Sequence, residues 1–226
     1  MMLSVEDWCF IDLLGLPYLR GNFEVALAID AYDRYVWAQD RLYDIKRERF
    51  TKRGVPLCDT ESVGDHTLES IGLATLHTPY TCNRDTVERM ILVHDMPQAI
   101  IDNIKCAEQI SITDKKKVER LAANVVFEAW PAAQALWEEY DAGKSHEARV
   151  AKDIQYIQML LKVQEYQDAY PDAAPSLFHY WQDLSAAWVS DLGVKLQALL
   201  FSDFSRMSAN DDSAGGYMNG SKEATS

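Results

Sequence analysis

The chain has 226 residues, 48% of them hydrophobic and 11% aromatic, which excludes a disordered polymer and allows one domain with a sizeable core. Its formal net charge of −13 excludes nonspecific binding to nucleic acid or to an anionic membrane, but leaves room for a small anion at a local cluster of cations. Cys9, Cys58, Cys82 and Cys106 form no C-x-x-C pair, Glu6 and Asp7 spoil any signal peptide, and no apolar run approaches a membrane span; reduced thiols in a cytoplasmic protein is the expectation.

In chain order, residues 1–22 hold an apolar patch, Trp8 to Leu14, closed by Gly15, Pro17 and Gly21, which predicts a short capping helix. From Phe23 to about Phe50, Val25, Ala28, Ile29, Tyr32, Val36, Leu42 and Ile45 recur at roughly helical spacing and lead into the basic run Lys46 to Arg53. Gly54 and Pro56 open a loop. His66 is expected to begin a helix that lasts until Pro79, and another is expected from about Asp85 to Ile101, carrying His94 and Asp95.

Residues 113–139 read as helical with a break at Pro131. Val150, Ile154, Ile157 and Leu161 form a helical stripe between His146 and Tyr166. A last helix is expected after Pro171 and Pro175, through Trp181 and Trp188, and the Ser-, Gly- and Asn-rich stretch from about Ser205 reads as a disordered tail. Strand patterns are absent, so the fold class is all-α.

Two segments carry candidate chemistry: Glu61-Ser62-Val63-Gly64-Asp65-His66 and Ile91-Leu92-Val93-His94-Asp95. They supply two imidazoles and a carboxylate, donors suited to a divalent ion that activates water. A carboxylate in an apolar helix such as Asp95 needs a cation or several donors if it is buried. His77, His146 and His179 have no partners at ligand spacing and are assigned to surface or core roles.

These segments, with a third around Leu136 to Tyr140, Glu147 to Arg149 and Lys152 to Gln155, resemble the HD-domain superfamily and within it the metal-dependent 5′-deoxynucleotidases. The first family motif reads E-S-V-x-[DE]-H; the second reads H-D-M-x-E-x-[IL]-x-G-D-[IL]. The resemblance implies an HD-domain helical bundle over residues 41–204, with extra N-terminal helices over 1–40 and the tail over 205–226. It implies one divalent metal (Mn, Co, Fe, Zn or Mg), metal-assisted hydrolysis of a nucleoside 5′-monophosphate or related phosphoester, a nucleotide partner and a homodimer.

Carried over residue by residue, His66, His94 and Asp95 fall on metal ligands. Gln98 and Asn103 stand where the family has carboxylates, and Asp102 replaces a glycine. Gln155 stands at the last ligand position, with Asp153 as the alternative fourth ligand, although residues two apart on a helix point about 200° apart. The resemblance also implies an upstream arginine, for which Arg49 and Arg53 both suit. Amides have no useful basicity near neutral pH, so the same residues admit a second expectation, a catalytically impaired HD-fold protein serving as a ligand-binding or assembly module.

Overall fold

Helix starts are written locally in this chain. Ser4, Ser62, Asn83, Ser111 and Ser145 each accept a hydrogen bond from the backbone N–H three residues on, which satisfies a donor the first helical turn would otherwise leave free. Pro17 and Pro131 open two further helices from the first turn, where a missing N–H costs nothing.

A computed structural model describes residues 2–102, 104, 110–185 and 188–195. The element order is α1 (Val5–Leu13), α2 (Pro17–Ala28), α3 (Asp33–Asp44), α4 (Glu48–Thr51), α5 (Val63–His77), α6 (Arg84–Val93), α7 (Gln98–Ile101), α8 (Ile112–Val126), α9 (Pro131–Ala142), α10 (His146–Ala169) and α11 (Ala174–Ser185). Among the described residues there is no strand, and one antiparallel bridge joins Lys46 to Ser62. The fold is all-α. None of its described helices is long and apolar enough to cross a membrane. The stretch read from sequence as a disordered tail lies outside the described residues.

Two boundaries differ from the periodicity reading. Pro17 begins α2 rather than closing a helix, and the run expected from Phe23 to Phe50 is interrupted between α2 and α3 and again before α4. The helix expected from Asp85 to Ile101 stops at Val93, turns through His94 to Pro97, and resumes as α7. Pro97 has no N–H and disfavours helical geometry at the residue before it, so the ladder ends there.

Helix α10 is the organising element, packing against α5, α6, α9 and α11. Its Val150, Ala151 and Ile154 join Ala74, Val87, Met90 and Ile91 from α5 and α6. Its Met159, Leu160, Val163 and Tyr166 pack with Phe50, Leu177 and Trp181. A third cluster unites α1, α2 and α3 with α7, α8 and Trp137. Residues before position 41 therefore share apolar contacts with the helices that follow the His94-Asp95 turn.

Arg34 ties this third cluster together although it is only 3% exposed. Its guanidinium donates to the carbonyls of Ala26 (2.8 Å), Ile29 (3.0 Å) and Val125 (2.7 Å) and to the carboxylate of Glu128 (2.8 Å). Those carbonyls lie at the C-terminal ends of α2 and α8, where the intrahelical ladder runs out, although Ala26 also accepts from the Ile29 N–H at 3.3 Å. Replacing Arg34 with Met is expected to destabilise the protein by about 3 kcal/mol, because several buried acceptors and a carboxylate lose their donor together; urea unfolding reads this directly.

Asp102, just beyond α7, has φ +52° and ψ −143°, a conformation that glycine adopts freely and a residue with a Cβ does not. This is the position at which the resembled pattern has glycine. Asp102→Gly is expected to raise stability by about 1 kcal/mol, measurable as a higher Tm.

Candidate active site

The first motif decodes into structural roles before any chemistry. Ser62 caps α5 and forms a reciprocal box with Asp65, whose carboxylate accepts from the Ser62 N–H at 2.9 Å. Asp65 is thus committed to the helix start. Val63 is buried, and Gly64 lies where an added Cβ would come within 2.7 Å of the Tyr43 ring, so α3 and α5 meet closely only without a side chain there. Glu61 and His66 are left to face inward, and both are buried.

Both imidazoles have one nitrogen committed. His66 Nδ1 donates to Gln158 Oε1 at 2.5 Å, and His94 Nδ1 donates to the Ile91 carbonyl at 2.6 Å. Each Nε2 is thereby left available to coordinate an ion, the arrangement in which an outer hydrogen bond fixes the tautomer of a metal-binding histidine. Burial, and next to it the charge of Arg47, holds the His66 imidazole well below its ordinary pKa, which keeps it neutral and ligand-competent.

The break after α6 turns His94 and Asp95 inward together. His94 Nε2 lies 2.9 Å from Asp95 Oδ2, and one donor atom from each of His66, His94 and Asp95 lies within 4.8 Å of the others. All three are buried. Two imidazole nitrogens and a carboxylate at this spacing form a donor set that fits a divalent transition ion.

The set lies in a cavity of about 290 Å³ lined also by Arg47, Arg49, Gln98, Tyr140, Gln155 and Met159. Around it runs a shell of charge pairs. Arg47, 5% exposed, has its Nε 3.2 Å from Glu61 Oε1 and its Nη1 4.0 Å from Asp95 Oδ2. The Glu61 contact is an ion pair without an aligned hydrogen bond. Burial lowers the Arg47 pKa and raises that of Glu61, and each charge opposes the other's shift. Gln158 Nε2 donates to both Glu61 and Glu69 at 2.8 Å, and Lys162 reaches Glu69 at 3.0 Å.

The sequence-predicted residues distribute unevenly. Gln98 is in the cavity and donates through Nε2 to Asp95. Gln155 is in the cavity, and its Oε1 accepts from the Tyr140 hydroxyl at 2.8 Å. Asp153, the alternative fourth ligand, faces elsewhere: its carboxylate accepts from the N–H groups of Val189 (2.9 Å) and Ser190 (2.7 Å) and from the Ser190 hydroxyl. The separation of positions 153 and 155 around the helix is the reason. Asp102 is not among the residues lining the cavity, and its charge acts on Tyr18 after burial in raising that hydroxyl's pKa. Asn103 lies outside the described residues.

Of the two arginines expected upstream, Arg49 lines the cavity and is held by Tyr180 Oη at 2.8 Å and Met159 Sδ at 3.2 Å. Arg53 is the brace behind it, donating to the Arg49 carbonyl at 2.7 Å with its guanidinium 4.2 Å from the Tyr180 ring centroid. Arg47 was missed by the sequence reading, as was Tyr140, which lies over His94 at 5.3 Å between ring centroids. The available signal for Arg47 was alternation. Ile45 and Arg47 are both buried on the extended segment bridged to Ser62, and residues two apart on such a segment face the same way.

A family model described as HD domain matches residues 39–183, and the chain belongs to the HD-domain family. A 5′-deoxynucleotidase of Mus musculus is 32% identical over 113 residues, 48% of this chain and 57% of the relative. One of Saccharomyces cerevisiae is 27% identical over 167 residues, 67% of this chain and 69% of the relative. The chain thus spans just over half the length of the mouse relative. Among solved structures, a predicted metal-dependent phosphohydrolase from Magnetospirillum magnetotacticum aligns with TM-score 0.55 at 23% identity, over 78% of this chain and 92% of that one. A conserved hypothetical protein from Pyrococcus furiosus aligns with TM-score 0.57 at 18% identity, over 74% and 98%. At these identities the solved structures speak to the fold alone.

The segment before α5 is anchored by Tyr166, which accepts from the Glu61 N–H at 2.7 Å and donates to the Asp59 carbonyl at 3.2 Å. Burial pushes its hydroxyl up to about 12. The folded chain therefore keeps a proton that the unfolded chain releases near pH 10, so this contribution to stability is intact below about pH 10 and is lost as pH rises towards 12. Urea unfolding across that window is expected to show a falling stability whose slope is reduced in Tyr166→Phe.

Proposed function

We propose that this protein hydrolyses the phosphomonoester of a nucleoside 5′-monophosphate with the help of a divalent metal held by His66, His94 and Asp95. The observation that carries this is the convergence of those buried donors, with both Nδ1 atoms already engaged, in one cavity with Arg47 and Arg49. The likeness to 5′-deoxynucleotidases supports a nucleotide as the substrate class.

A divalent ion bound there supplies Lewis acidity, making a bound water more acidic and offsetting phosphoryl charge. The rest falls to the chain's own residues. Arg47 and Arg49 offer planar, permanently charged donors to phosphate oxygens. Glu61 and Asp95 keep Arg47 in place, and Tyr180 does so for Arg49. Hydrolysis forms a bond from water oxygen to phosphorus and breaks the bond to the 5′ oxygen, which leaves as a hydroxyl after taking up a proton. Gln98 cannot receive the water's proton; its donated hydrogen bond orients Asp95 instead. The amide at this position makes proton transfer the weak link of the site.

The test is phosphate release from a panel of deoxynucleoside monophosphates by protein reconstituted with Mn²⁺ or Co²⁺. Hydrolysis is expected in the wild type, and His94→Gln is expected to lower both metal affinity and turnover by at least about 100-fold. Gln98→Glu is expected to raise turnover by about 100-fold by restoring a base within reach of the water. Wild-type protein that binds metal stoichiometrically yet releases no phosphate, with no gain in Gln98→Glu/Asn103→Asp, would remove this reading and leave a binding or assembly role.

A further inference from the structure

A buried amide donor on the cavity wall has no hydrogen-bond partner among the described residues. Gln155 is 6% exposed and lines the cavity. Its Oε1 is taken by the Tyr140 hydroxyl at 2.8 Å, while its Nε2 is buried without a hydrogen-bond partner among the described residues. A buried amide donor left unpaired is destabilising, and such groups are rare in folded proteins.

Tyr140 is itself fixed. Its ring packs on His94, and Lys152 Nζ lies 5.2 Å from the ring centroid while donating to the Asp141 carbonyl at 3.2 Å. With the hydroxyl donating to Oε1, the amide presents its NH₂ to the cavity. An N–H donor cannot take a cation, so the group that completes it is an acceptor; the lining holds Asp95, Glu119 and Asp141 as well as Arg47, Arg49 and Lys152, and the two guanidiniums are the groups that suit an anionic acceptor.

We propose that Gln155 is a hydrogen-bond donor to the phosphoryl oxygens of the substrate rather than a fourth protein ligand to the metal, and that Tyr140 is the positioning residue that fixes it in that role. The proposal rests on the phosphohydrolase reading above. It leaves His66, His94 and Asp95 as the protein ligands and surrounds the phosphoryl group with Arg47, Arg49 and Gln155. Relative to an aspartate at 155, the site has one negative charge fewer, which favours a phosphate dianion and disfavours the metal.

The experiment measures inorganic phosphate and Co²⁺ binding by calorimetry on the full chain, phosphate being titrated into cobalt-loaded protein, for wild type, Gln155→Met, Gln155→Glu and Tyr140→Phe. Unchanged far-ultraviolet dichroism identifies the folded variants. Gln155→Met is expected to weaken phosphate binding by about 10- to 100-fold, the loss of one hydrogen bond to a charged group, and to leave Co²⁺ affinity within about threefold. Gln155→Glu, nearly isosteric, is expected to weaken phosphate at least as much and to tighten Co²⁺. Tyr140→Phe is expected to weaken phosphate alone.

A Co²⁺ affinity that falls tenfold or more in Gln155→Met would overturn the donor role and make the residue a metal ligand, even if the wild type hydrolyses nucleotides. Phosphate binding unchanged in both Gln155 variants would overturn it equally. Wild-type protein that binds Co²⁺ but neither phosphate nor a deoxynucleoside monophosphate would overturn the phosphohydrolase reading and this proposal with it.

Discussion

The site depends on burying a guanidinium between two carboxylates inside a helical bundle. Arg47 has almost no exposure, and neither do Glu61 and Asp95, which flank it. Taking any one of these charges from water alone costs several kcal/mol. None could be retained without the others, so the extended segment through Arg47, the loop before α5 and the turn after α6 are held in one relation. The bridge from Lys46 to Ser62 is the backbone expression of the same constraint.

From that triad the polar network spreads outward rather than ending in apolar core. Gln158 joins His66 to Glu61 and Glu69, and Lys162 joins Glu69 to Glu165 at the surface. A neutral amide is suited to this middle position because it donates to carboxylates at one end and accepts from the imidazole at the other. The amides at 98 and 155 work differently. They stand at positions where the resemblance implies carboxylates, and they hold Asp95 and meet Tyr140. A cavity with fewer fixed negative charges is a weaker metal cage and a better anion pocket. The donor set and the arginines therefore have to be read together.

Much of the fold was legible locally. The Ser62 cap with Asp65, the Asn83 and Ser145 caps, and Pro131 at the start of α9 each carry their own signal, because a cap is a contact between residues three apart. The stripe Val150, Ile154 and Ile157 marked α10 for the same reason, one face of one helix against the core, whereas Leu161, read into the same stripe, is exposed. Periodicity failed where helices are interrupted without losing their apolar content. The stretch from His94 to Ile101 keeps Met96, Ala99, Ile100 and Ile101 as apolar residues, and Pro97 had to be weighed above them. The same holds between α2 and α3, where Ile29 continues the apolar run past the end of the helix.

By itself, the sequence determined the helical class, the helix starts that carry a side-chain cap, and the identity of His66, His94 and Asp95 as residues that belong together, because motif spacing and capping are properties of short stretches. Only the tertiary structure decided which charges face the cavity. Arg47 and Arg49 reach it and Arg53 braces from behind. Asp153 turns to the Trp188–Ser190 segment, and Gln155 meets a tyrosine from another helix. Those choices depend on partners distant in sequence and on the burial each charge must tolerate. A residue's neighbours along the chain carry no record of either.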